Sequence, residues 1–160
     1  MCNRHSFVVT RSGKVLDGMG LTDSHTTIMS LHGLKGAEHD ECNLYEWQPP
    51  KGWPDASWLD GLTVDRQTFV PKASHDKAAE RHLRDKYPTV AAWEAGDTID
   101  PSLDGQTVTL DGYEYTVFCT GIHTVESGRV FASDSASVQA WGSASVEAWG
   151  SASVRASDSA

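Results

Sequence analysis

A chain of 160 residues is long enough for one ordinary domain with a core of its own and too short for two of average size. Its 13 Lys and Arg stand against 22 Asp and Glu, a formal net charge of −9 that sets nucleic-acid backbones and anionic lipid surfaces against it as partners. Neither an apolar run of about 18 residues nor a basic-then-apolar leader is present, and Cys2, Cys42 and Cys119 form no Cys-x-x-Cys pair, so a membrane helix, a disulfide framework and a thiolate zinc site are not expected. The expected setting is the cytoplasm, with the thiols reduced.

In chain order, "SFVVTRSGKVLDGMG" reads as a β-hairpin about a Gly-containing turn. In "TDSHTTIMSLHG", Asp23 or Ser24 can cap a short helix that Gly33 ends. "CNLYEW" is strand-like, and the prolines of "WQPPKGWPDASWLDG" turn it into a long loop before a further strand in "TVDRQTFV". Ser74 is placed to cap "HDKAAERHLRDKY", and Pro88 to sit in the first turn of "TVAAWEA", which Gly96 stops. "QTVTLDGYEYTVFCT" predicts a hairpin around Asp111-Gly112. The expected body, residues 1–128, is a small α+β globular domain of order ββα-β-β-αα-ββ.

From 129 to 160 the composition turns to Ser, Ala, Val and Gly in octads that begin at Val130, Val138, Val146 and Val154. Eight is even, so a strand keeps Val138, Ala140, Gly142, Ala144, Val146 and Ala148 on one side and Gln139, Trp141, Ser143, Glu147 and Trp149 on the other. Asp134-Ser135, Gly142-Ser143, Gly150-Ser151 and Asp158-Ser159 recur at one phase, as corners would. The pattern predicts a short repetitive β-solenoid-like tail with one or two octads per coil. A tail of fewer than four octads, breaking off at Ala160, is marginal alone, and completion by self-association or by a longer array is expected. Trp141 and Trp149 would supply apolar area, and Glu147 and Arg155 a charge pair between adjacent strands.

The segment "SASVEAWGSASVRA", about 143 to 156, resembles octapeptide arrays of accessory proteins encoded by actinobacteria and their bacteriophages. That resemblance implies a phage or mobile-element origin, and so the cytoplasm of a bacterial host. It carries no activity to transfer.

Three constellations in the body bear on chemistry. At "MCNRHSF", removal of Met1 would expose Cys2, whose own amine could take the thiol proton. The order Cys2, Arg4, a strand, then "LDGMGLTD" ending at Asp23 is similar to the opening of cholylglycine-type N-terminal nucleophile hydrolases, which implies an amide hydrolase with Cys2, Arg4 and Asp23 in its site. His25 and His32 on one predicted helix and His75 and His82 on the next are each seven apart and share a face. Two turns separate them by about 10.5 Å, so a metal would need one His from each helix together with Glu80, Asp76 or Asp23. Tyr45, Trp47, Trp53 and Trp58, interleaved with Asp55, would suit a small polar-aromatic ligand, or else anchor a long Pro-rich loop. Lys72, Lys77, Arg81 and Arg84 add positive charge or form a solvated helix face.

The leading expectation is a non-enzymatic binding and assembly protein of phage type, a homo-oligomer without cofactor or metal. By analogy with phage accessory proteins, it would sequester a host defence factor or a small nucleotide-like ligand. The alternatives are the Cys2 hydrolase and a structural component of the virion or fibre.

Overall fold

The computed structural model describes residues 4–157. They form a mixed α+β protein with two sheets. One compact unit holds the described residues through Gly18 together with Thr22–Asp97. The other holds Met19–Leu21 and the described residues from Thr98 on, so the division falls upstream of the composition change at Gly128. No helix is long and apolar enough to cross a membrane among the described residues.

In the first unit β1 (His5–Thr10) and β2 (Val15–Asp17) make the expected hairpin. Ser24 caps α1 (His25–Leu31) by accepting from Thr27 N. With β3 (Cys42–Trp47) and β4 (Leu62–Arg66) an antiparallel sheet of order β2-β1-β3-β4 is complete, and α2 (Ala73–Lys86) and α3 (Val90–Ala95) follow. Two helix starts differ from the sequence expectation. Lys72, not Ser74, is the N-cap of α2, because the His75 ring folds back and its Nδ1 accepts from Lys72 N at 2.8 Å. Thr89 opens α3, its hydroxyl accepting from Ala92 N at 3.1 Å, and Pro88 stands before the cap.

Strand alternation divides the side chains of this sheet between two cores. Phe7, Val9, Tyr45 and Trp47 pack with Trp58, with Ala79 and Leu83 of α2, and with Tyr87. Val8, Leu16, Cys42 and Leu44 pack with Ile28 and Met29 of α1. Cover on both faces explains why β1 reads as a continuous apolar run.

In the second unit β5 (Thr107–Leu110) and β6 (Tyr113–Phe118) pair antiparallel around Asp111 and Gly112, whose φ values of 50° and 83° suit a type I′ turn. β7 (Ile122–Ala132), β8 (Ser137–Ala148) and β9 (Ser153–Ser157) continue the same sheet, and β6 to β9 are all parallel neighbours. Parallel neighbours ordinarily need a crossover of about a dozen residues. Here only residues 149–152 join β8 to β9, yet Ser137 pairs with Ser153 and Val130 with Val146, each sixteen positions on. Twelve straight strand residues would run about 40 Å. The link from Ala148 to Ser153 reaches about 18 Å at most. β8 must therefore reverse within its own length, and Gly142, at φ 55°, is where it does so. β7 has its register shift at the matching place, between Val125 and Ser127.

Two ladders result, one of residues 115–118, 129–132 and 145–148, the other of 122–125, 137–140 and 153–156. Val130, Ala132, Ala136 and Val138 form a narrow buried core, while Gln139 and Trp141 are exposed. Asp134, Gly142 and Gly150 have positive φ at eight-residue spacing. The fourth expected corner, Asp158-Ser159, lies outside the described residues. Glu147 and Arg155 do not pair as expected: the sixteen-residue register sets Glu147 beside Phe131 and Arg155 beside Gln139, on different ladders.

Candidate functional site

The α2-facing side of the first sheet is apolar except at one end. The strand period puts His5 on the same side as Phe7, whose pairing with Asp17 brings that carboxylate alongside. From α2, His82 and Lys86 project there one turn apart. Asp23 arrives from the residue before the α1 cap, and Asp97 from just past the Gly96 that ends α3.

His5 is 2% exposed, and its Nε2 lies 3.0 Å from His82 Nε2, so one ring donates to the other. The other nitrogen of His5, Nδ1, is buried without a hydrogen-bond partner and faces Asp97 Oδ2 at 3.5 Å. Lys86 Nζ reaches Asp17 Oδ2 at 3.0 Å and Asp97 Oδ2 at 3.6 Å. The Tyr87 hydroxyl donates to Asp97 Oδ1 at 2.6 Å.

This environment spreads the titrations of the cluster apart. Burial, reinforced by the neighbouring His5, lowers His82 to about 4, so its ring is neutral at neutral pH. Burial alone would raise Asp97, but His5, Lys86 and Tyr87 hold it at about 2. Asp23 is raised by burial and then by the charge of Asp97, against a hydrogen bond from Ser6 N. Burial and the hydrogen bond to Asp97 push the Tyr87 hydroxyl up. Two sets of donor atoms here are close enough to share a cation: His5, Asp17 and His82, and His5, Asp23 and Asp97.

Of the residues singled out in the sequence, only Asp23 and His82 belong to this cluster. Cys2 lies outside the described residues, and Arg4 pairs with Glu46. The expected His set does not converge. His25 contacts Tyr45 O at 2.9 Å and Asp65 at 3.3 Å, His32 contacts Asp17 O at 2.8 Å, and His75 contacts Arg11 O at 3.0 Å. Three of the four thus tie helices to backbone carbonyls of the sheet or its first turn, and no His of α1 shares a possible ligand set with a His of α2 among the described residues. His5 stands at strand period with Phe7 and Val9, which is the one local signal in the sequence that would place it on this face.

The aromatic residues of the loop fill the core. Trp47 is fully buried between Trp58 and Tyr87, at 5.6 and 5.7 Å with interplanar angles of 11° and 9°. Trp53 and Trp93 close its edges, and its Nε1 donates to Trp58 O at 2.7 Å. Tyr45 stacks on Phe7, and Arg84 lies over Trp58 at 4.8 Å. Asp55 alone of the set is exposed. The faces on which a ligand would stack at Trp47 are taken by protein rings, which makes these residues the anchors of the long loop. Burial pushes both described thiols, Cys42 and Cys119, above the ordinary range, so neither is poised as a nucleophile.

On the second unit Trp141 and Trp149 are each about two-fifths exposed, and Glu147 and Arg155 face solvent. No known family, no curated protein and no solved structure matches the chain.

Proposed function

We propose that the protein is a non-enzymatic binding and assembly protein of phage type, whose repeats form a narrow solenoid with two octads per coil and join copies of the chain. The observation that carries this reading is the state of the repeat valines. Val130 and Val138 are 2% and 0% exposed, whereas Val154, at the same phase on β9, is 41% exposed. A further coil stacked on β9 would bury it, and the parallel in-register edge of β9 offers the backbone groups for that contact. Trp141 and Trp149 would add apolar area to the same association. Phage origin, and with it a host defence factor or small nucleotide-like ligand as the target of the first unit, rests on the resemblance of the repeats.

Sedimentation velocity of the full chain tests the assembly. A concentration-dependent oligomer is expected, and Val154→Asp should return it to monomer without unfolding the first unit. A wild-type chain that stays monomeric throughout the accessible concentration range removes the assembly role. Recovery of the protein from purified virions would move the reading to a structural component.

A further inference from the structure

We propose that His5 Nδ1 and the carboxylates of Asp23 and Asp97 bind a divalent transition-metal cation of the zinc and manganese class, with His82 orienting the His5 ring. One ring nitrogen of His5 and one carboxylate oxygen each of Asp23 and Asp97 lie within 4.8 Å of one another, and it is Nδ1 that stands 3.5 Å from Asp97 Oδ2. Two observations separate this set from a mere acidic cluster. The His5 ring is 2% exposed, and its Nδ1, aimed at the carboxylates, has no hydrogen-bond partner. Buried polar atoms seldom stay unpaired, because losing water without replacement costs about 1–3 kcal/mol.

The second observation is the contact on the opposite side of the ring. His5 Nε2 sits 3.0 Å from His82 Nε2. If Nε2–H donates to His82, Nδ1 carries a lone pair facing Asp97 Oδ2, a repulsive arrangement that a cation converts into a ligand set. Metal-bound imidazoles commonly donate their second N–H in just this way. In the alternative set of His5, Asp17 and His82 the two Nε2 atoms already bond each other at 3.0 Å, so neither is open to a metal without breaking that contact. Asp17, Asp23 and Asp97 with Lys86 leave two negative charges, the count a divalent ion balances.

Donors around a tetrahedral ion with bonds of about 2.0–2.1 Å stand roughly 3.4 Å apart. The exposed Asp23 therefore closes in on the ion, while Asp97 meets it from a carboxylate already oriented by the Tyr87 hydroxyl and Lys86. Their solvent side leaves coordination positions for water or for an anionic ligand. One imidazole with two carboxylates suits Zn²⁺ or Mn²⁺ better than Ca²⁺, which takes oxygen ligands only.

The test uses the full chain stripped with a chelator and titrated with Zn²⁺ and with Mn²⁺ by calorimetry and thermal unfolding. One ion per chain and a raised Tm are expected. Asp23→Asn, at an exposed position, should keep the metal-free Tm and lose about tenfold or more in affinity; His5→Ala should abolish the site. His82→Leu should weaken binding by about 10- to 100-fold, and His82→Gln, whose amide oxygen can accept from His5 Nε2–H, should restore it. X-ray absorption of the Zn²⁺ form should show one imidazole among oxygen ligands. Absence of binding would overturn the proposal. So would wild-type affinity in the Asp23 and His5 variants, or a spectrum with several imidazoles.

Discussion

Replacing Gly142 with Ala probes the reversal inside β8. At φ 55° an L side chain is strained, by about 1–2 kcal/mol. The new Cβ would also stand 2.9 Å from the backbone oxygen of Glu126, which cannot swing away as the tip of a long side chain would. Relieving that contact costs about another 1–3 kcal/mol. Gly150→Ala is the matched control. Its φ of 61° carries the same conformational strain, but the nearest atom, Asp134 N, is at an ordinary 3.7 Å. Gly142→Ala should therefore lower the local opening free energy by about 2–5 kcal/mol, and Gly150→Ala by about 1–2. Hydrogen exchange by mass spectrometry measures both on peptides spanning residues 137–148, with β1 and β3 as unaffected internal references. Equal losses in the two variants, or none at Gly142, would refute the placement of the reversal.

Asn43 is fully buried and holds residues 68–69: its Oδ1 accepts from Thr68 N at 2.7 Å and Phe69 N at 3.2 Å, and its Nδ2 donates to Phe69 O at 2.9 Å. Asn43→Leu strands these groups and should cost about 3 kcal/mol or more in urea unfolding of the first unit, with a loss under about 1 kcal/mol counting against the network. His82 gives stability a pH dependence whose sign follows from its lowered value. The unfolded ring takes up a proton near 6.5 and the folded ring only near 4, so stability is flat above about 6.5 and falls as pH drops towards 4, by about 3 kcal/mol in all. Urea midpoints of chelated protein across that interval should show the slope, and His82→Gln should remove it; an unchanged slope in the variant would assign it elsewhere. Asp97, held at about 2, loses its contribution only below its ordinary 3.8.

Much of this architecture is legible in the sequence because the signals are local. The hairpin about Asp111-Gly112, the Ser24 cap and the left-handed Gly33 each depend on a few adjacent residues. The octad phase predicts the burial of Val130, Val138 and Ala140 but not the exposure of Gly142 and Ala148, because β8 reverses at Gly142, nor the burial of Phe131 and Ser133. Helix starts were misplaced where a side chain outside the usual capping set took the role, as His75 does for Lys72. The aromatic loop reads equally as ligand platform or anchor, since only packing reveals that Tyr87 and Trp58 both stack on Trp47 and that Trp47 is fully buried. The cluster around His5 draws one to three residues from each of five places in the chain, and no spacing rule connects them. The sixteen-residue register, which decides the partner of Arg155, is set by strand pairing and not by any local signal.

That register also governs how the repeat tract can change length over generations. Slippage that duplicates or deletes one octad keeps every Val and Ala at its inward phase, but carries each outward residue to the opposite ladder, with new neighbours above and below. Gain or loss of two octads restores the original neighbours, and a slip by an odd number of residues turns the valines to solvent. Single-octad events thus reshuffle the outer surface over an unchanged interior, while paired events copy it, so a lineage has separate genetic routes to diversify this face of the protein and to extend it.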